Sequence, residues 1–239
     1  MSLLRYVPNT LTCLNLLSGC MACVMAFAQR FDAALLAVVV AALFDFLDGF
    51  AARLLHAHSP IGADLDSLSD LVSFGLAPSL VVFSLLRLAS WPQGWPVWLL
   101  EFLPYTAFII ALFSALRLAK FNVDTRQSHY FLGLPVPANA LFWVAIGSWL
   151  AADEALLASV PPLVVVVVVL VLSGLLVSER SMFSFKVQDW SWRASHTVYI
   201  FLLVSALLLI CFHVGGLALC VVWYILLSEL TRRERRGEA

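Results

Sequence analysis

The chain has 239 residues, 62% of them hydrophobic and 12% charged, with a mean hydropathy of +0.96 and a formal net charge of -1. A soluble domain of this size is about half apolar and about a quarter charged, so a water-soluble fold is excluded and lipid must be the solvent for most of the chain. The net charge by itself says nothing about partners, whereas the distribution of the charges along the chain does; no nucleic-acid partner is expected.

Stretches of ~20 mostly apolar residues, the length that a membrane span requires, occur at 10–28, 33–55, 62–87, 97–118, 134–152, 158–177, 194–212 and 214–231. The expected fold is therefore an all-α integral membrane protein: a polytopic bundle of about eight transmembrane helices forming a single domain over 1–239. The first stretch has no small-residue cleavage site, so insertion is expected through the spans themselves. Trp91, Trp95 and Trp98 between the third and fourth spans read as an interfacial aromatic belt. The run Val164 to Val169 would be a strand in water, but lipid leaves an open strand's backbone unpaired, and helix is expected. Only His213 to Gly216 offers a turn between the last two spans. All five cysteines lie in apolar runs, and the Cys20/Cys23 pair has no second pair beside it, so packing is expected rather than redox or zinc chemistry.

Placing the N-terminus in the cytosol puts Arg5, Arg53, Arg117, Lys120, Arg126, Arg180, Lys186, Arg193, Arg232, Arg233, Arg235 and Arg236 inside, and only Arg30 and Arg87 outside. This positive-inside bias requires an even number of spans, with both termini cytosolic and 231–239 as a basic cytosolic tail.

The stretch 44–73, across the second and third spans, carries Asp45, Asp48, Arg53, Asp64, Asp66 and Asp70 in otherwise apolar surroundings. A charge at the bilayer centre costs roughly 2.5–3.5 kcal/mol, so such a cluster requires a function or a counter-ion. Asp45 and Asp48 are i,i+3, while Asp66 and Asp70 are i,i+4, so each pair shares a helix face. The short turn at His58–Pro60 allows the two faces to meet. Four converging carboxylates repel one another unless a cation lies between them. Mg²⁺ held by carboxylates and substrate phosphates suits such a set. Gly49 permits close approach to the helix, Ala52 keeps the same face small, Arg53 offers a fork to a pyrophosphate, and Gly62 opens the third helix.

The pattern Asp45-x-x-Asp48-Gly49-x-x-Ala52-Arg53, eight residues, then Gly62-x-x-x-Asp66-x-x-x-Asp70 resembles the signature of the CDP-alcohol phosphatidyltransferases at every defined position. The resemblance implies a divalent metal pair, Mg²⁺ or Mn²⁺, at the cytosolic edge of the cell's inner membrane. It assigns Asp45, Asp48 and Asp66 to metal, and Asp70 to metal and general base. Gly49, Arg53, Ser59 and Gly62 would contact the CDP moiety of CDP-diacylglycerol, together with Asn9 and Thr12 from the first-span pattern Pro8-Asn9-x-x-Thr12-x-x-Asn15. That pattern, the stretch Arg117-Leu118-Ala119-Lys120-Phe121-Asn122 (with Lys where a second Arg is usual), Gly133-Leu134-Pro135-Val136-Pro137, and Val177-Ser178 with Ser184-Phe185-Lys186 are similar to the bacterial and archaeal phosphatidylserine synthases within the family. L-serine is then the expected acceptor, with phosphatidylserine and CMP as products.

The residues themselves point the same way. Arg117, Lys120 and Asn122 lie at the depth of the aspartates and suit a free amino acid's carboxylate. For Lys120 and Arg126, anchoring to membrane lipid headgroups is the competing reading. His56 and His58 read as polar loop residues. Two alternatives stay open: another acceptor, such as glycerol 3-phosphate, inositol phosphate or choline, and an ion or metal transporter using intramembrane acids. A homodimer is an assembly that the sequence leaves open.

Overall fold

The computed structural model describes residues 6–57, 59–92, 94–123, 131–182 and 192–237, without the side chains of 131, 192–195 and 232–237. Arg5, His58, Arg126, Ser184, Phe185 and Lys186 lie outside the described residues, as do the side chains of Arg193, Arg232, Arg233, Arg235 and Arg236.

The chain is helical almost throughout. α1 (Val7–Phe27) starts with Pro8 in its first turn, where the missing N–H is no loss. Its buried stripe is Pro8, Thr12, Asn15, Ser18, Gly19, Ala22 and Ala26, all small or polar, and it packs along α2 (Phe31–Leu54). Large apolar residues such as Leu17, Met21, Val24, Leu36 and Leu43 face outward instead. That arrangement suits a lipid solvent, where small residues let backbones approach and bulky ones face the acyl chains. At 1.5 Å per residue the 24 residues of α2 span about 36 Å, enough to cross a hydrocarbon core.

Gly62 opens the third long helix as expected. α3 (Gly62–Asp70) runs through one π-helical turn (Leu71–Leu76) into α4 (Ala77–Leu88). Gly19 of α1 packs so closely on Ser73 that a Cβ there has no room. After α5 (Val97–Phe102) and a 3-10 turn containing Pro104, α6 (Ile109–Val123) runs back; a Cβ on Gly75 would lie 3.2 Å from Ser114 Cβ of α6. α6 continues past the expected end at 118, which places Lys120 and Asn122 on the helix. α7 (Val136–Ala151), the short α8 (Glu154–Ser159) and α9 (Pro162–Val177) follow, so the valine run is helical. A two-residue antiparallel pair, β1 (Phe131–Leu132) with β2 (Ser181–Met182), ties the ends of their loops.

α10 (Trp192–Gly237) breaks at His213, which has φ 49° and ψ -119°. The chain reverses there. Gly216 abuts Leu208 and Leu209, Cys220 Sγ lies 3.6 Å from the Ser205 carbonyl, and the Phe201 and Tyr224 rings are 6.2 Å apart. The turn expected at His213–Gly216 is thus where the two halves fold back. Among the described residues, five helical stretches are long and apolar enough to cross a membrane: 7–27, 31–54, 62–88, 97–123 and 196–231. Val136–Ala151 and Pro162–Val177 are shorter apolar helices. The cysteines are free, and Cys13, Cys20 and Cys211 are exposed.

Candidate metal and substrate site

The end of α2 and the start of α3 are joined by a short turn, and their acids meet. One carboxylate oxygen from each of Asp45, Asp48 and Asp66 falls within 4.8 Å of the others. Among the described residues, Asp48 Oδ2 and Asp66 Oδ1 are buried without a hydrogen-bond partner. Among the described residues no Lys or Arg forms an ion pair with any of the four motif aspartates. Asp48 is buried and Asp45 and Asp66 are half-buried, so carboxylates this close repel one another; a cation among them would relieve that, and an all-oxygen set is the donor chemistry of a hard divalent ion. The residues therefore fit such a metal.

Asp70 stands outside this trio. One turn further along α3, it is buried, and its Oδ1 accepts a 3.1 Å hydrogen bond from Asn15 Nδ2. The sequence reading of the site passed over Asn15. Its signal was present in the three-residue steps of Asn9, Thr12 and Asn15, which bring all three close to one face of α1.

Those steps place the α1 residues against the acid-bearing helices. Asn9 Nδ2 donates to Ser59 Oγ at 3.1 Å, and a Cβ on Gly62 would lie 3.8 Å from Asn9 Oδ1. The Thr12 hydroxyl donates to the Pro8 carbonyl at 3.0 Å and lies beside Asp48. Arg53, exposed in the last turn of α2, folds back over Gly49; a Cβ there would lie 3.5 Å from a guanidinium nitrogen. Asn9, Ser59 and Gly62 are thus gathered in one contact group, Arg53 covers Gly49, and Thr12 lies beside Asp48 at the same end of the bundle. Asp64 is exposed and stands apart from the acid trio.

The three residues of α6 have separate fates. Arg117 lies 5.1 Å from the centroid of the Phe121 ring and close enough to Asp70 and Tyr224 to interact electrostatically with both. Lys120 is turned to Glu179, at 3.4 Å in an exposed pair. Asn122 donates to Ser67 Oγ at 2.8 Å, tying α6 to α3 next to Asp66. Arg117 and Lys120 also line a narrow cleft with Leu132, Leu176, Val177 and Ser178, so two of the segments singled out in the sequence meet there.

A profile of the CDP-alcohol phosphatidyltransferase family matches residues 5–176. A protein of Mycobacterium tuberculosis named CDP-diacylglycerol–serine O-phosphatidyltransferase is 37% identical over 150 residues, covering 60% of this chain and 49% of that protein. Proteins of the same name from Bacillus subtilis (33% over 138 residues; 56% and 71%) and Methanocaldococcus jannaschii (35% over 142 residues; 58% of each) are also similar. The chain spans about half the length of the mycobacterial relative it matches. With the motif acids gathered and the profile covering most of its length, the chain belongs to the CDP-alcohol phosphatidyltransferase family.

Proposed function

We propose that this protein transfers the phosphatidyl group of CDP-diacylglycerol to L-serine, releasing CMP and phosphatidylserine. The observation that carries this reading is the gathering of Asp45, Asp48 and Asp66 at the bundle end that also holds Arg53 and Arg117. The names of relatives from two bacteria and an archaeon support serine as acceptor.

Asp45, Asp48 and Asp66, together with Asp70, would hold the divalent metal, Mg²⁺ or Mn²⁺ and two per site. When bound, the metal supplies positive charge to the pyrophosphate and to departing CMP. Arg53 holds the pyrophosphate, and Asn9, Thr12, Ser59, Gly49 and Gly62 form the cradle for the cytidine phosphate. Asp70 takes the proton of the serine hydroxyl as its oxygen attacks the β-phosphorus and the bond to CMP breaks. Positioning and electrostatics carry most of the rate gain, as in phosphoryl transfer generally. Arg117 pairs with the serine carboxylate. Lys120, committed to Glu179, and Asn122, committed to Ser67, support that wall from outside.

The topology that goes with this reading has eight spans, the two halves of α10 counting as two, with both termini and the site on the cytosolic side of the inner membrane. Arg53, Arg117, Lys120 and Arg180 at the acid end of the bundle support that orientation. The test is CMP release by the purified chain with CDP-diacylglycerol and a panel of alcohols. Release with serine alone, abolished by chelator and restored by Mg²⁺ or Mn²⁺, is expected. Release with glycerol 3-phosphate or inositol phosphate instead would overturn the acceptor.

A further inference from the structure

We propose that Asn15 is a positioning residue for Asp70: its amide fixes the orientation of the carboxylate that takes the acceptor's proton. The proposal rests on Asp70 being the base, and its argument begins with the contact itself. Asn15 is fully buried on α1, and its Nδ2 donates to Asp70 Oδ1 at 3.1 Å. The bond engages one carboxylate oxygen of the two and so sets the rotation of the group about its last torsion. The donor is neutral, so it orients the group without placing a second charge against it.

The backbone around Asn15 is held to the same segment. Its carbonyl accepts a 3.0 Å hydrogen bond from Ser73 Oγ, and Gly19, one turn on, is packed against Ser73 without room for a Cβ. Ser73 sits in the π-helical turn that begins immediately after Asp70. A π turn changes the phase of the helix beyond it, and such turns recur at functional sites. Ser73 and Gly19 thus hold the α1 backbone against the π turn as packing, and the contact that reaches the carboxylate itself is the Asn15 amide.

Among the described residues the donor side of the amide is used on Asp70, and Asn15 Oδ1 has no protein partner.

The experiment takes the full chain, purified in detergent, and measures kcat, KM for CDP-diacylglycerol, the half-saturating Mn²⁺ concentration and thermal unfolding. Asn15→Leu keeps the side chain's branching and number of heavy atoms, with bulkier methyl groups, and removes the donor. It should lower kcat by about 10- to 100-fold, less than the 10²–10⁴ ascribed to a whole general base. KM for CDP-diacylglycerol and the Mn²⁺ requirement should stay within about twofold, the signature of an interaction used in the transition state. Asn15→Gln, which retains the donor, should recover part of kcat. Ser73→Ala removes the neighbouring tie to the same helix and should lower the unfolding temperature with kcat near wild type. If Ser73→Ala reproduces the kcat loss, or if Asn15→Leu raises KM or the Mn²⁺ requirement in parallel, the positioning role is overturned. It is likewise overturned if Asn15→Leu and Asn15→Ala both fail to fold while Ser73→Ala folds. Asp70→Asn is measured alongside: turnover retained there overturns the base reading itself, whereas turnover lost there but kept in Asn15→Leu overturns only the role of Asn15.

Discussion

The helix from Gly62 to Leu88 and the last helical element are both apolar enough for a bilayer, yet they are used in opposite ways. In the first, 67% of the most apolar window is buried; in the last, only 11% is, although its hydropathy is the higher, 2.5 against 1.9. Ser69, Ser73, Gly75, Ser79 and Ser84 line the buried helix, whereas Leu202, Leu203, Leu207, Ile210 and Leu226 of the last element are exposed. Lipid tails are as apolar as leucine, so hydrophobicity does not draw helices together in a membrane. Small and polar residues do, through close backbone approach and hydrogen bonds such as Ser84 Oγ to the Ala26 carbonyl at 3.1 Å. Asp66 and Asp70 lie on the helix packed this way, and it brings them to Asp45 and Asp48 at the end of α2.

That contrast is broken most severely at the acid trio. Asp45→Asn or Asp66→Asn removes a charge from a set with unpaired buried oxygens. CMP release should fall below detection in either variant, and isothermal titration with Mn²⁺ should find the site weakened. Activity persisting in either variant, or in excess chelator, would sink the metal assignment.

A smaller effect is expected at Asp70. Asp70→Asn should lower kcat by about 10²–10⁴-fold with CDP-diacylglycerol affinity held, because the lost proton transfer matters in the transition state. Equilibrium binding of the nucleotide lipid, measured beside turnover, checks this. Parallel collapse of both would make Asp70 a binding residue.

Arg117 comes next. Its guanidinium lies 5.1 Å from the Phe121 ring centroid and within electrostatic reach of Asp70 and Tyr224. A charge-assisted pair there is worth about 1.5–3 kcal/mol, so Arg117→Ala should raise the KM for serine about tenfold to a hundredfold. Arg117→Lys should recover part of that, a point charge replacing a fork. If initial-rate measurements find CDP-diacylglycerol weakened and serine untouched, Arg117 belongs to the other substrate.

The smallest effect sharpens the comparison from the lipid side. Ile210 is 71% exposed in the last element, so Ile210→Ala should change stability by less than about 0.5 kcal/mol. A large drop in unfolding temperature in detergent would mean that this face is covered in the working protein.

Read along the chain, the helical class, the start at Gly62, the helical valine run, the reversal after Phe212 and the pairing of acids on two helix faces were all legible in the sequence. Helical periodicity assigns a face from spacing alone, and lipid penalises both open strands and stray carboxylates, so few arrangements remain. What the sequence left open were contacts between residues far apart in the chain. Asn15 meets Asp70 across 55 residues, and Lys120 meets Glu179 across 59. Nothing in the local pattern around Lys120 separates a substrate contact from a partner at the end of α9. The standing of Asp70 outside the trio was equally hidden, since its i,i+4 spacing from Asp66 gives a shared face and not a shared point. These matters depend on how each helix is rotated and slid against its neighbours. The close packing of Gly19 on Ser73 and of Gly75 on α6 sets that rotation, and it exists only once the helices have assembled.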